Sequence, residues 1–197
     1  MFIELTDHLR CPNPHDESFL VLLPDLIQGR WVRTGQLGCP VCGREFQLVD
    51  GVFDAGDAPA SDAAGTALTA ENASVLVGLH GPGGYLALVG PVASLWEEIA
   101  ALNPGVALVG VNPAATVVDS PGISVVRGGM IPLKSRSLRS VILGRLYADD
   151  PHWMREGARV VLPGLRIVGE GTPPPDDLIE VMASAEGVWV GTGKRRA

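Results

Sequence analysis

From Thr69 to Val190 short apolar runs alternate with helical stretches, and this alternation constrains the fold more than any other feature of the chain. A helix opens at Thr69-Ala70-Glu71-Asn72, where the threonine has the character of an N-cap, and runs through Leu79. The turn Gly81-Pro82-Gly83-Gly84 leads into a strand over residues 85–89. Ala93 to Leu102 reads as a helix with Leu95, Trp96, Ile99 and Leu102 on one face, and Asn103-Pro104-Gly105 stops it before a second strand at residues 106–111. Residues 123–126, 140–143 and 165–168 are further apolar runs suited to buried parallel strands. A helix near residues 176–185 and a last strand at residues 188–190 complete the series. Such a pattern predicts an α/β domain, a parallel sheet with right-handed crossovers and helices on both faces.

Residues 1–55 differ in kind. They hold all three cysteines and two of the four histidines, with little helical periodicity. Glu45-Phe46-Gln47-Leu48-Val49 alternates like a short strand before the turn Asp50-Gly51, so this part reads as a small β module. The composition then shifts to Ala, Gly, Asp, Ser and Pro, which divides the chain into a module at 1–55, a linker at 56–65 and an α/β domain at 66–197.

The 197 residues are 46% hydrophobic and 19% charged, enough apolar material for a real core. A net charge of -7 excludes nucleic-acid binding by the surface as a whole, because phosphate neutralisation dominates that affinity. One stretch runs against this balance. Between Ser120 and Ala148 lie Arg127, Lys134, Arg136, Arg139 and Arg145 with no acidic residue, a local patch for RNA or an acidic partner, or else an ordinary solvated face. The tail Lys194-Arg195-Arg196 reads as a frayed terminus. The first residues, Met1-Phe2-Ile3-Glu4, do not have the form of a signal peptide, and no uninterrupted apolar run reaches the roughly 18 residues a membrane span needs. A soluble cytoplasmic protein with reduced cysteines is expected.

Cys39-Pro40-Val41-Cys42-Gly43 has the form of a zinc knuckle, two thiolates on a tight turn that can face one ion. One Cys-x-x-Cys also occurs in redox motifs, but its place in a β-rich segment, away from the start of a helix, disfavours a redox role. A structural zinc needs four ligands, and the other half of the site is irregular. Cys11-Pro12-Asn13-Pro14-His15 has proline where a second cysteine would stand, and His15 is then the candidate fourth ligand, with His8 and Asp16 as competitors. A closed site of Cys11, His15, Cys39 and Cys42 would be structural, not catalytic.

The segment from Gly38 to Val52, Gly-Cys-Pro-Val-Cys-Gly-Arg-Glu-Phe-Gln-Leu-Val-Asp-Gly-Val, resembles the second knuckle of the small zinc-ribbon proteins that activate tRNA and protein methyltransferases. The resemblance covers residues 4 to 54, departs at the missing fourth cysteine, at Val52 and at Phe53, and belongs to a family whose ribbon often occurs fused to a methyltransferase domain. Residues 66 to 190 in turn resemble a class I S-adenosylmethionine methyltransferase. Tyr85-Leu86-Ala87-Leu88-Val89-Gly90 matches the first strand and loop, and Val109-Gly110-Val111-Asn112-Pro113 the end of the second strand. Ile131-Pro132-Leu133 with Leu138 to Leu143 matches the entry to the fourth strand, and Glu156 to Gly164 the turn before the fifth. The resemblance implies a small zinc ribbon followed by a truncated Rossmann-like sheet, with Gly90 and Asn112 as the residues that would meet the cofactor.

The departures argue against catalysis. Only the first loop glycine survives in Gly90-Pro91-Val92-Ala93-Ser94, the acidic residue of the first strand is absent, and Asn112 stands where a carboxylate should hold the ribose. At about 1–3 kcal/mol for each unmatched polar group, several such losses make S-adenosylmethionine binding doubtful. The chain also stops soon after the fifth strand, too early for the family's last hairpin. A second placement of the loop, at Gly81-Pro82-Gly83-Gly84 after a strand at 75–79, keeps the glycines but no acid. His152, with Trp153 and Met154, lies where substrate-side residues follow the fourth strand. The expected function is a zinc-binding, methyltransferase-like protein that is non-catalytic, no catalytic residue being assigned, and binds or scaffolds other proteins. The alternatives are an active methyltransferase with an atypical cofactor site and an RNA-binding accessory factor.

Overall fold

The computed structural model describes residues 1–60, 65–175 and 178–194. A one-turn helix α1 (Ile3–Thr6) precedes an antiparallel meander of β1 (Val21–Gln28), β2 (Trp31–Gly38), β3 (Glu45–Val49) and β4 (Val52–Asp54). Asp50 and Gly51 turn β3 into β4 with positive φ at both, 50° and 79°, as the sequence leads one to expect. Helix α2 (Ala70–Val77) follows, with the Thr69 side chain accepting from the Asn72 N–H at 3.2 Å. It ends two residues before the expected Leu79, because Gly78 takes the left-handed conformation that closes a helix.

Next come β5 (Tyr85–Val89), a 3₁₀ segment (Gly90–Leu95) that runs into α3 (Trp96–Leu102), β6 (Ala107–Val111) and β7 (Ile123–Arg127). The chain continues through β8 (Ser140–Leu143), α4 (Arg145–Ala148), α5 (Pro151–Val160), β9 (Arg166–Glu170), β10 (Ile179–Ala185) and β11 (Val188–Gly193). All these strands join one sheet in the order β1-β2-β3-β4-β7-β6-β5-β8-β9-β11-β10. Strands β7, β6, β5, β8 and β9 are parallel neighbours, and the order of winding reverses between β5 and β8. This is an α/β fold with a Rossmann-like parallel sheet, and the reversal marks its topological switch point.

Two expectations are corrected. Residues 179–185 are a strand, not the second part of a helix (176 and 177 lie outside the described residues). Ile179 is buried and Val181 half-buried while Glu180 between them is exposed, a period of two. The turn Glu186-Gly187, with φ of 52° and 75°, returns the chain as a hairpin. That hairpin, with β11 antiparallel to β9, is the closing element for which the sequence reading leaves no room.

The strands alternate between two apolar cores. Ala87, Val89, Val109, Val111, Val141 and Leu143 face one side, where α5 packs with Trp153, Met154 and Val160. Met1, Leu5, Leu9, Phe46, Leu48 and Phe53 join the same core, so the N-terminal module and the α/β sheet share their hydrophobic interior. Leu86, Leu88, Leu108 and Ile142 face the other side, under α2 and α3. A buried charge group ties the parts further. The Met1 ammonium lies 2.7 Å from Asp119 and 2.9 Å from the Val32 carbonyl, with the Arg33 guanidinium 3.3 Å from the same carboxylate. Burial lowers the affinity of that amine for its proton and raises that of Asp119.

Glu170, at the end of β9 and 1% exposed, holds the segment leading into α2. One of its carboxylate oxygens accepts from the Thr66 hydroxyl and the Ala67 and Leu68 N–H groups, and the other from the Arg145 N–H at 3.2 Å. Glu170→Gln turns an acceptor into a donor facing donors, a cost of about 2 kcal/mol. Thermal unfolding followed by circular dichroism is expected to show a midpoint lower by about 4–8 °C; an unchanged midpoint would mean that the carboxylate does not hold this segment.

Candidate metal centre and the cleft at the switch point

Cys11 enters from a bridge between Arg10 and Phe19, its N–H bonded to the Ser18 carbonyl at 3.0 Å. Cys39 opens the loop between β2 and β3. Its N–H donates to the Arg44 carbonyl, and the Gly43 N–H returns to the Cys39 carbonyl, both at 2.9 Å, with φ of 70° at Gly43. That tight turn presents Cys39 and Cys42 toward Cys11 and His15. The four ligand atoms lie within 4.8 Å of one another.

Two contacts test whether this set fits a tetrahedral ion. The Cys11 and Cys42 sulfurs are 3.7 Å apart, and Cys39 Sγ is 3.4 Å from His15 Nε2. Zinc–sulfur bonds of about 2.3 Å and zinc–nitrogen bonds of about 2.0 Å give tetrahedral edges of about 3.8 and 3.5 Å. His15 Nδ1 lies 2.7 Å from the Asp16 carbonyl, which can only accept, so Nδ1 carries the proton and Nε2 keeps its lone pair toward the sulfurs. Of the competing ligands, His8 packs edge-on against Tyr85 at 5.0 Å between centroids. Asp16 acts through its carbonyl.

The polar surroundings treat the thiols unequally. The Arg44 backbone N–H, with Asn13 and the neighbouring ligands, holds the exposed Cys42 thiol down at about 6. Burial pushes the Cys11 thiol up to about 11. Asn13 donates to Cys42 Sγ at 3.2 Å and accepts from Arg44 at 2.8 Å. Neither residue is picked out by ligand spacing, which registers only groups that bind an ion directly.

The carboxyl ends of β5, β6 and β8 meet at the switch point, where a doubly wound sheet places its ligand. The cleft there encloses about 130 Å³, and Pro59, Ala60, Pro91, Asn112, Tyr147 and Trp153 are among its walls. Gly90 has φ of 73°, and a Cβ on it would meet the Tyr147 ring at 2.3 Å, so the space a glycine leaves here holds an aromatic ring of the same chain. Tyr147 packs edge-on against Trp153 at 4.7 Å.

Asn112 is buried in a left-handed conformation, φ 48°. Its Nδ2 donates to the Gly128 carbonyl at 2.8 Å and its Oδ1 accepts from the Gly128 N–H at 2.9 Å. His152 bonds the Gly129 carbonyl at 2.8 Å. The other glycine loop, Gly81 to Gly84, lies at the amino end of β5, away from the cleft, and residues 75–77 before it are helical. There Arg139 donates to the carbonyls of His80, Gly81, Pro82 and Gly83 at 2.7 to 3.3 Å. A second member of the basic stretch, Lys134, sits 5.6 Å over the Phe19 ring.

No protein-family model matches the chain, and no curated protein matches it. Among solved structures it is similar to a chain of the complex between the Haloferax volcanii Trm112 methyltransferase activator and a methyltransferase, at 21% identity over 51% of this chain and 50% of that one, with a TM-score of 0.41. The antibiotic-resistance methyltransferase Kmr is 15% identical over 68% of this chain and 96% of its own, TM-score 0.44. CalO1, a methyltransferase of calicheamicin biosynthesis with S-adenosylhomocysteine bound, is 16% identical over 64% of this chain and 54% of its own, TM-score 0.44. The chain thus spans about half the length of the first and third of these.

Proposed function

We propose that this chain is a zinc-binding, methyltransferase-like protein that does not transfer methyl groups and serves as a binding or scaffolding subunit for other proteins. The state of the cleft carries the reading. Both polar atoms of Asn112 are bonded to Gly128, and the Tyr147 ring fills the space beside Gly90. The remaining 130 Å³ falls well below the roughly 300–1,000 Å³ of small-molecule sites. Cys11, His15, Cys39 and Cys42 would hold zinc as a closed structural set, the ion supplying cross-linking and no reaction.

A protein partner is favoured by the apolar side chains around β1. Phe19, Val21, Leu23, Leu26 and Ile27 are 42% to 65% exposed on one segment. Pro24 and a register break beside it interrupt the backbone edge of that strand, so a partner would meet the side chains more readily than extend the sheet.

Calorimetric titration with S-adenosylmethionine and S-adenosylhomocysteine is expected to give no binding heat at ligand concentrations of about 1 mM; micromolar affinity would restore the enzyme reading. Asn112→Asp supplies the carboxylate that a ribose site would use. It is expected to lower stability by about 2 kcal/mol, because an oxygen then faces the Gly128 carbonyl, and to leave both ligands unbound.

Zinc binding should be pH-dependent in a particular way. Zinc takes thiolates and a neutral imidazole, so the Cys11 proton is expelled on binding at any pH below about 11, His15 competes next because its hydrogen bond to the Asp16 carbonyl raises its affinity for a proton, and Cys42 adds a proton only below about 6. Competition against a chromophoric chelator is expected to show one zinc per chain, with affinity falling as pH drops and falling faster as His15 and then Cys42 take up protons. A flat profile, or His15→Ala and Cys11→Ala variants that keep full zinc, would remove these residues from the ligand set.

A further inference from the structure

The four-ligand cluster is uneven in its access to solvent. Cys11 and Cys39 are 2% and 3% exposed, whereas Cys42 lies at the surface. Its sulfur is in contact with that of Cys11 at 3.7 Å, while the Cys39 sulfur is engaged with His15 Nε2 at 3.4 Å. A disulfide requires the sulfurs to close to about 2.05 Å, so Cys11 and Cys42 need approach by only about 1.7 Å, within reach of side-chain rotation.

We propose that Cys42 is an oxidation site, and that a hydroperoxide converts Cys11 and Cys42 into a disulfide with release of the zinc. The inference rests on the zinc reading above. The Cys42 thiolate attacks one oxygen of hydrogen peroxide, the O–O bond breaks and hydroxide leaves, giving a sulfenic acid. The Cys11 thiolate then attacks the Cys42 sulfur, the S–O bond breaks and a second hydroxide leaves. Two thiolates lose two electrons and one peroxide gains them, yielding one disulfide and two hydroxides. Zinc keeps its charge. Left with Cys39 and His15 alone it dissociates, since a stable structural site needs four ligands. The new bond joins the same two loops, 31 residues apart, that the metal joined, so the oxidised module keeps its shape and reduction restores the site.

The zinc-loaded full chain is titrated with hydrogen peroxide while a chromophoric chelator reads the released metal, and tryptic peptides are mapped without reduction. Cys11 falls on peptide 11–30, and Cys39 and Cys42 together on peptide 34–44. A Cys11–Cys42 bond therefore appears as two joined peptides, and fragmentation assigns the cysteine. The expected result is one zinc released per peroxide consumed, a joined pair through Cys42, and recovery of zinc binding after dithiothreitol. A bond within peptide 34–44, a joined pair through Cys39, sulfinic acid at Cys42 without a disulfide, or retained zinc at tenfold excess peroxide would each overturn the proposal. Metal analysis before peroxide is added separates this from failure of the zinc reading, and the wild-type chain serves throughout, so no variant has to fold.

Discussion

Two residue pairs, Phe53 with Val126 and Asp54 with Arg127, make the parallel contact between β4 and β7 on which the rest of the molecule depends. Without it β7 would leave a row of unpaired backbone groups at the end of the parallel sheet. The Ala55 N–H extends the contact by bonding the Arg127 carbonyl at 2.8 Å. Because side chains alternate along each strand, this register sends Phe53 to the same face as Val126, and both are fully buried there with Phe46 and Leu48. No helix lies between β7 and β8 among the described residues. The N-terminal segment covers that part of the sheet instead, with Leu9 bridging Leu133, the Arg10 N–H bonding the Pro132 carbonyl and the Lys134 N–H bonding that of His8. The N-terminal module does the covering work of a crossover helix.

The same register shapes the cleft. As the chain leaves β4 it runs beside the loop after β7, where the Gly129 N–H bonds the Gly56 carbonyl at 2.9 Å, and this path carries Pro59 and Ala60 to the cleft wall. On the opposite side of that loop Asn112 holds Gly128 through both side-chain atoms. The left-handed conformation that lets it do so is one asparagine accepts more readily than most residues. Loops that in a ligand-binding sheet offer their polar groups outward are here bonded to one another.

The clustering of Cys11, His15, Cys39 and Cys42 is legible in the sequence, because thiol and imidazole side chains are short and their spacing along a tight turn nearly fixes their separation in space. The β5 to β6 unit was legible from its period and its Asn-Pro-Gly stop. The last hairpin was not. Leu178, Ile179, Val181 and Met182 look like a helical face when read as a block, yet Met182 is 56% exposed and the true period is two. The signal was Gly187, which takes positive φ freely; Glu186 beside it adopts φ 52° although its residue type does not favour that region. The closing of the cleft could not be read at all. The resemblance puts Asn112 at a ribose, and nothing in its identity says that both its polar atoms are taken by a backbone sixteen residues away. Tyr147 gave no warning, since an aromatic after a strand is as often core as site.

The cysteine and histidine cluster and the cleft are ends of one interior. Cys11 and Cys39 belong to the same apolar cluster as Phe46, Phe53, Val126, Tyr147 and Trp153. Loss of a closed metal site would loosen the loop that carries Cys11, and with it the segment that covers the sheet beside β7. Active sites draw their moving parts from loops of low local stability, because binding and release require opening. The loops around this cleft are instead tied to one another, Gly128 through the Asn112 side chain and Gly129 through the Gly56 carbonyl, so opening the cleft would mean breaking these bonds.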